Sequence, residues 1–299
     1  MKRAWLLVVL LLVTFTNGAF ASDWADSLRA ERAEADDYLA NSPLSPFAAI
    51  GQTVLRPGQA LRVVLPVDTL LLGYPTADPG LPQLEFTYQP DVPVVYVRSP
   101  QGGDFQLNRQ KIGPIPLALS SADTVRAEIF LLKAYASSTS ARLRAFKPGG
   151  HGQSSFHGLN WYPPNPDLRL TATIQPAARD TVLMPTSAGL EKSYIRHSTL
   201  HFTVDGSKQT LTLFAPASDP DAYGFIPFTD AGAGESTYGG GRYIDLDLPA
   251  DGQTELLLDF NDAYNPLCAY VPHYNCPIPP PENALDIEIE AGEMIYEKH

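Results

Sequence analysis

The sequence predicts a mainly β protein: one N-terminal amphipathic helix, then a β-sandwich-like lobe, then a larger C-terminal antiparallel β-barrel or sandwich lobe. Three observations carry that expectation. Helical spacing of apolar residues is confined to residues 23–40. Beyond Phe47, prolines and glycines (28 and 22 in the whole chain) separate short apolar stretches, roughly every 8–12 residues, the rhythm of an all-β chain. Third, Asp205-Gly206 lies between two alternating runs, and that residue pair tolerates the positive φ angles of a type I′ hairpin turn.

The elements follow in order. Residues 1–21 read as a signal peptide: Lys2-Arg3, an apolar run from Trp5 to Phe15, and the small-x-small pattern of Ala19-Phe20-Ala21. The run falls short of the ~20 apolar residues a spanning helix needs. Cleavage is therefore expected, with no transmembrane anchor after it and export to the periplasm or the extracellular space. Residues 22–44 hold the helix. Trp24, Leu28, Ala35 and Leu39 share one face, Arg29, Glu31, Arg32, Glu34, Asp36 and Asp37 cover the others, and Pro43 stops it. A helix of this kind is expected to lie as a lid on the body. Residues 45–150 form the sandwich-like lobe, with strands at 61–65, 70–73, 84–88, 94–97, 105–107, 125–134 and 142–146. The Gly-rich run 147–155 marks a boundary, and residues 151–299 form the C-terminal β domain. Two hairpins are expected there: 199–204 with 207–213, and 243–248 with 254–260 across Pro249-Ala250-Asp251-Gly252.

The formal charge is -12, and removing Lys2 and Arg3 with the leader makes it more negative. That sign opposes phosphate-neutralising contacts, so no nucleic-acid partner is expected. Familiar catalytic motifs are missing: there is no Gly-x-Ser-x-Gly, His-Glu-x-x-His, phosphate loop or Cys-x-x-Cys. No cofactor is implied. Gly239-Gly240-Gly241-Arg242 precedes a strand rather than a helix, so it reads as a place of close backbone approach, not a phosphate cradle. No metal site is expected either. His197 and His201 would sit ~13 Å apart on one strand, on the face opposite Leu200 and Phe202. His151 and His157 lack a third ligand. In Asp259-Phe260-Asn261-Asp262, the start of a calcium-loop pattern, Tyr264 and Tyr270 replace the required glycine and glutamate.

Residues 237–293 stand apart, with polar groups set among aromatic residues and prolines. They contain Tyr238-Gly239-Gly240-Gly241-Arg242-Tyr243, then Asp259-Phe260-Asn261-Asp262-Ala263-Tyr264-Asn265-Pro266 with Cys268-Ala269-Tyr270. Cys276-Pro277-Ile278-Pro279-Pro280-Pro281-Glu282-Asn283 and Ala291-Gly292-Glu293 follow. Together with Phe156-x-Gly158-x-x-Trp161-Tyr162-Pro163, these runs resemble the bacterial and archaeal family catalogued as domain of unknown function 1684 (DUF1684). The resemblance implies a shared unit and names no activity, substrate or catalytic residue.

Proline-stiffened loops order side chains at low entropic cost, so the ligand-binding candidates are Tyr238, Arg242, Asp259, Asn261, Asn265, Glu282 and Asn283. The structural alternative is that Asp259 caps the turn after its strand and pairs with Arg242. Cys268 and Cys276 enclose seven residues in a chain expected to be exported, which favours a disulfide of ~2.5 kcal/mol on the loop-closure estimate. A reactive thiol activated by His273 is the alternative. Three functional readings result. The first is an exported β-module that binds a small polar ligand, a glycan or an envelope protein through the 237–293 loops. The second is a hydrolase using Asp259 and Glu282 as an acid–base pair. The third is a structural envelope protein.

Overall fold

The helical spacing forms α1 (Asn17–Asn41), the first element of a computed structural model that describes residues 17–65, 70–73, 81–136, 141–272 and 274–296. Most of the expected signal peptide lies outside the described residues, and the expected cleavage point after Ala21 falls within α1. Leu28 and Leu39 are buried on the inner face of the helix, as their spacing predicts. Two side chains expected on its solvent faces turn inward instead. Arg32 is buried and donates to the carbonyls of Tyr162 (2.8 Å) and Asn261 (3.1 Å), with its guanidinium 4.6 Å from the Trp161 ring. Asp36 accepts from the Leu159 amide at 3.0 Å. Both satisfy backbone groups of loops, which no α1 apolar residue could do.

Eleven strands build the sandwich: β1 (Ala49–Leu55), β2 (Ala60–Val64), β3 (Leu71–Gly73), β4 (Gln83–Gln89), β5 (Val94–Arg98), β6 (Phe105–Leu107), β7 (Gln110–Lys111), β8 (Leu117–Leu119), β9 (Val125–Ala127), β10 (Phe130–Ala136) and β11 (Ala141–Phe146). One sheet runs β1-β11-β10-β9-β6-β7 and the other β3-β2-β4-β5-β8. Leu61, Phe86 and Val97 of the second sheet meet Phe105, Phe130 and Leu143 of the first in one core. The single strand expected over 125–134 is a hairpin. Ala127 pairs with Phe130, and Glu128 adopts φ +55° in the two-residue turn between them.

After a short helix α2 (His151–Ser154), the chain forms β12 (Arg169–Pro176), β13 (Thr181–Pro185), β14 (Glu191–Val204), β15 (Ser207–Pro216), β16 (Gly224–Phe228), β17 (Arg242–Leu246) and β18 (Glu255–Asp259). They make a half-barrel in the order β17-β16-β15-β14-β12-β18, with β13 also on β14. The Asp205-Gly206 hairpin forms as expected, with φ +48° and +80° at the turn and Val204 opposite Ser207. The second expected hairpin does not. β17 pairs with β16 and β18 with β12, at opposite ends of the sheet. Alternation finds both strands, whereas pairing is decided by residues 169–173, far away in sequence.

His201 is exposed and bonded to Gln175, whereas His197 contacts Arg179. The half-barrel encloses Leu200, Leu213, Ile226, Ile244, Leu258 and Phe260. Its other face holds a second cluster around Tyr194, Phe214, Phe225 and Tyr243.

Candidate functional site

From Phe260 onward the described chain has almost no strand ladder, only short 3-10 turns and isolated bridges such as Tyr243↔Tyr264 and Trp161↔Glu293. Its backbone groups must be satisfied by side chains. The distinctive residues of 237–293 do that.

Arg242 is 1% exposed and pairs with the equally buried Asp230, not with Asp259. Its two terminal nitrogens also donate to the carbonyls of Ile289 (3.0 Å), Ala291 (2.5 Å) and Glu293 (3.1 Å). Asp259 instead bonds Arg169 at 2.7 Å and caps the next turn through the Asn261 amide at 2.9 Å. Asn261 holds both backbone groups of Asn165, at 2.7 and 2.8 Å. Asn283 accepts from the Thr212 amide (2.7 Å) and donates to the carbonyls of Thr212 (2.9 Å) and Pro227 (2.8 Å). It thereby clamps β15 to β16.

Two glycines serve the same stitching. Gly292 has φ +78°, and an added Cβ would lie 2.6 Å from the Ala263 carbonyl oxygen. Gly241, at φ +84°, would meet the Phe228 carbonyl at 2.6 Å.

Glu282 is exposed and bonds Arg196 at 3.0 Å. Asp259 and Glu282 thus bind different arginines, Arg169 on β12 and Arg196 on β14, and no hydrogen bond joins the two carboxylates among the described residues.

Asn265, among the predicted residues, lines a cleft. A recess of about 410 Å³ opens where α1, the first sheet of the sandwich and the C-terminal tail meet. Tyr38 and Leu39 border it from α1, Tyr135, Arg144 and Phe146 from the sandwich, and Tyr264, Leu267, Tyr270 and Tyr274 from the tail, with Trp161, Asn265 and Glu293. The bridge Trp161↔Glu293 places those two side by side.

Glu293 is 1% exposed. Its carboxylate accepts from Asn265 Nδ2 and the Asn265 amide, each at 2.8 Å, and from the Tyr270 hydroxyl at 2.6 and 2.7 Å. Burial pushes its pKa up to about 7, against the lowering pull of these donors. Arg144 lies flat on Tyr274, 4.0 Å from the ring centre, and donates to Gln52 at 2.8 Å. No acidic side chain pairs with it among the described residues. Three buried polar atoms of the lining lack a hydrogen-bond partner: Arg144 Nε, Trp161 Nε1 and Asn265 Oδ1.

The family model described as "Protein of unknown function (DUF1684)" matches residues 154–294. A solution NMR structure of an uncharacterized protein of Haloarcula marismortui is 36% identical, over 50% of this chain and 82% of that one, with a TM-score of 0.42. This chain belongs to the DUF1684 family. No curated protein matches it. The matched span begins at the last residue of α2, so α1 and the sandwich walls of the cleft lie outside the DUF1684 match.

Within the DUF1684 segment, Tyr238 does not line the cleft. The expected disulfide is not formed: Cys268 and Cys276 are free thiols, with the Cys268 amide 3.3 Å from Cys276 Sγ. The loop is closed without it, through the Thr186↔Pro277 bridge and the Cys276 amide on Ser187 Oγ at 3.1 Å. His273, the expected activator of a thiol, lies outside the described residues. Sequence reasoning missed Glu293, Tyr270, Tyr274, Trp161 and Arg144. Glu293, Tyr270 and Trp161 stand in the quoted motifs, but Arg144 and Tyr274 carry no local signal.

Proposed function

We propose that this protein is an exported binding module that holds a small organic acid with an apolar body in the cleft between α1, the sandwich and the C-terminal tail. The observation that carries this reading is a cleft lined by aromatic and aliphatic side chains together with Arg144, whose guanidinium pairs with no acidic side chain among the described residues. That positive charge suits a carboxylate. Tyr270, Tyr274 and Leu267 cover the body of such a molecule. A volume near 410 Å³ falls in the ~300–1,000 Å³ range of small-molecule sites. A glycan fits less well, because its many hydroxyls need more polar partners than this lining offers.

Export rests on Lys2-Arg3, the apolar run and Ala19-Phe20-Ala21.

Titrating the protein with 4-hydroxyphenylacetate while following Trp161 fluorescence tests the reading. Saturable binding tighter than ~1 mM is expected. Arg144→Met should weaken it about tenfold, the loss of one charge-assisted contact, and leave the uncharged 4-ethylphenol unaffected. A folded protein that binds neither probe would contradict the proposal.

A further inference from the structure

A second recess, of about 450 Å³, opens where the outer face of the β10–β11 hairpin meets the half-barrel. Tyr135 and Arg142 line it from the sandwich, and Lys192, Tyr194, Pro216 and Tyr223 from the half-barrel. The strand registers account for this set. Tyr135 pairs with Arg142 across β10–β11, and Tyr194 with Pro216 across β14–β15, so each pair shares one sheet face. Lys192 stands two residues before Tyr194 and shares its face, whereas Glu191, on the rim, alternates to the opposite face and is exposed. Arg142 and Lys192 are half-buried, and neither makes an ion pair or a side-chain hydrogen bond among the described residues. Other arginines at similar or greater depth are matched: Arg62 with Glu85, Arg169 with Asp259, Arg196 with Glu282 and Arg242 with Asp230. In a chain with 33 acidic side chains against 21 basic ones, two cations facing one recess are left without a carboxylate. Burial pushes Lys192 below the ordinary lysine range, and Arg142 and Arg144 push the same way, against Cys276 and Cys268.

We infer that this recess binds a phosphate dianion, free or as the head of a monoester, between Arg142 and Lys192. Two positive charges carried by different sheets match a dianion, whereas a single carboxylate would leave one of them unmatched. Arginine offers a planar fork to two phosphate oxygens, and lysine a compact charge to a third. The rings of Tyr135, Tyr194 and Tyr223 flank the place an organic body would occupy. The recess is separate from the cleft. Tyr135 borders both, but Arg144 and Trp161 line only the cleft, and Arg142 and Lys192 only the recess. The inference therefore does not rest on what the cleft binds.

The test titrates the full chain with inorganic phosphate and with phenyl phosphate at constant ionic strength. A pH of about 8 keeps both doubly charged, well above the ~6 of a monoester's second ionisation. Saturable binding tighter than about 5 mM is expected. Arg142→Gln and Lys192→Gln should each weaken it at least about tenfold, the loss of one charge-assisted contact. Arg144→Met, in the cleft, should change it less than about twofold, as a separate site. Since neither cation has a partner to strand, both glutamine variants should keep the urea midpoint of wild type. A second measurement needs only wild type: acetylation of Lys192, read by peptide mass spectrometry, should slow at least about fivefold in saturating phosphate, with the exposed Lys208 unchanged. Phenyl phosphate binding about fivefold tighter than inorganic phosphate would support the site with a monoester as its ligand, and equal affinity would support it with the free ion. Absence of saturation by either anion, with Lys192 unprotected, would overturn the inference. So would binding that Arg144→Met abolishes and Lys192→Gln spares.

Discussion

The sandwich and the C-terminal tail solve the same problem by different means. In the sandwich, regular ladders satisfy the backbone, and the core between the sheets is apolar from Leu55 to Ala145. Its main ion pairs sit on the middle strand of the second sheet, where the buried Glu85 reaches Arg62 and Arg98, whose side chains are 33% and 46% exposed. In the tail after Asp259 the ladders stop, and Arg242, Asp230, Asn261, Asn283 and Glu293 are buried to serve carbonyls and amides that no strand reaches. Polar residues that look like a site on paper are there the substitute for hydrogen-bonded strands.

The contrast can be broken most severely at Arg242. Arg242→Met should destabilise the protein by ~3–5 kcal/mol, because it strands the buried Asp230 charge and three carbonyls. Urea denaturation gives this value, and a loss below ~1 kcal/mol would show that the network is slack.

Glu293 sharpens the same contrast through pH. Its folded pKa of about 7 lies above the ordinary 4.5. The folded state therefore holds a proton that the unfolded state releases between those values. Its contribution is complete below ~pH 4.5 and is lost as pH rises through ~7, by up to ~3 kcal/mol. Stability measured from pH 4.5 to 8 should fall across this window in wild type relative to Glu293→Gln. Parallel curves would remove the buried carboxyl from the account. The smallest effect belongs to the sandwich: Arg98→Ala should cost no more than ~1 kcal/mol in the same denaturation experiment, because Arg98 is half-exposed and Glu85 keeps Arg62.

The uneven legibility of the sequence follows from the same division. Strands β4, β5, β6 and β11 were readable because alternation and turn residues are local signals, and so was the Asp205-Gly206 hairpin. The pairing of β18 with β12 was not, because it joins residues 169–173 to 255–259. Asp259 as a turn cap was legible from its place at a strand end, but its partner Arg169 was not. In the cleft only Asn265 was foreseen. Arg144, Trp161, Tyr270 and Glu293 come from three separate stretches of chain that topology alone brings together.

The central claim is that this convergence is a ligand site. A crystal soaked in 3-bromo-4-hydroxyphenylacetate tests it most directly, because the bromine marks the ring by anomalous scattering. The account predicts one strong peak against Tyr270, Tyr274 and Leu267, with the carboxylate on Arg144. Bromine found only elsewhere would contradict it.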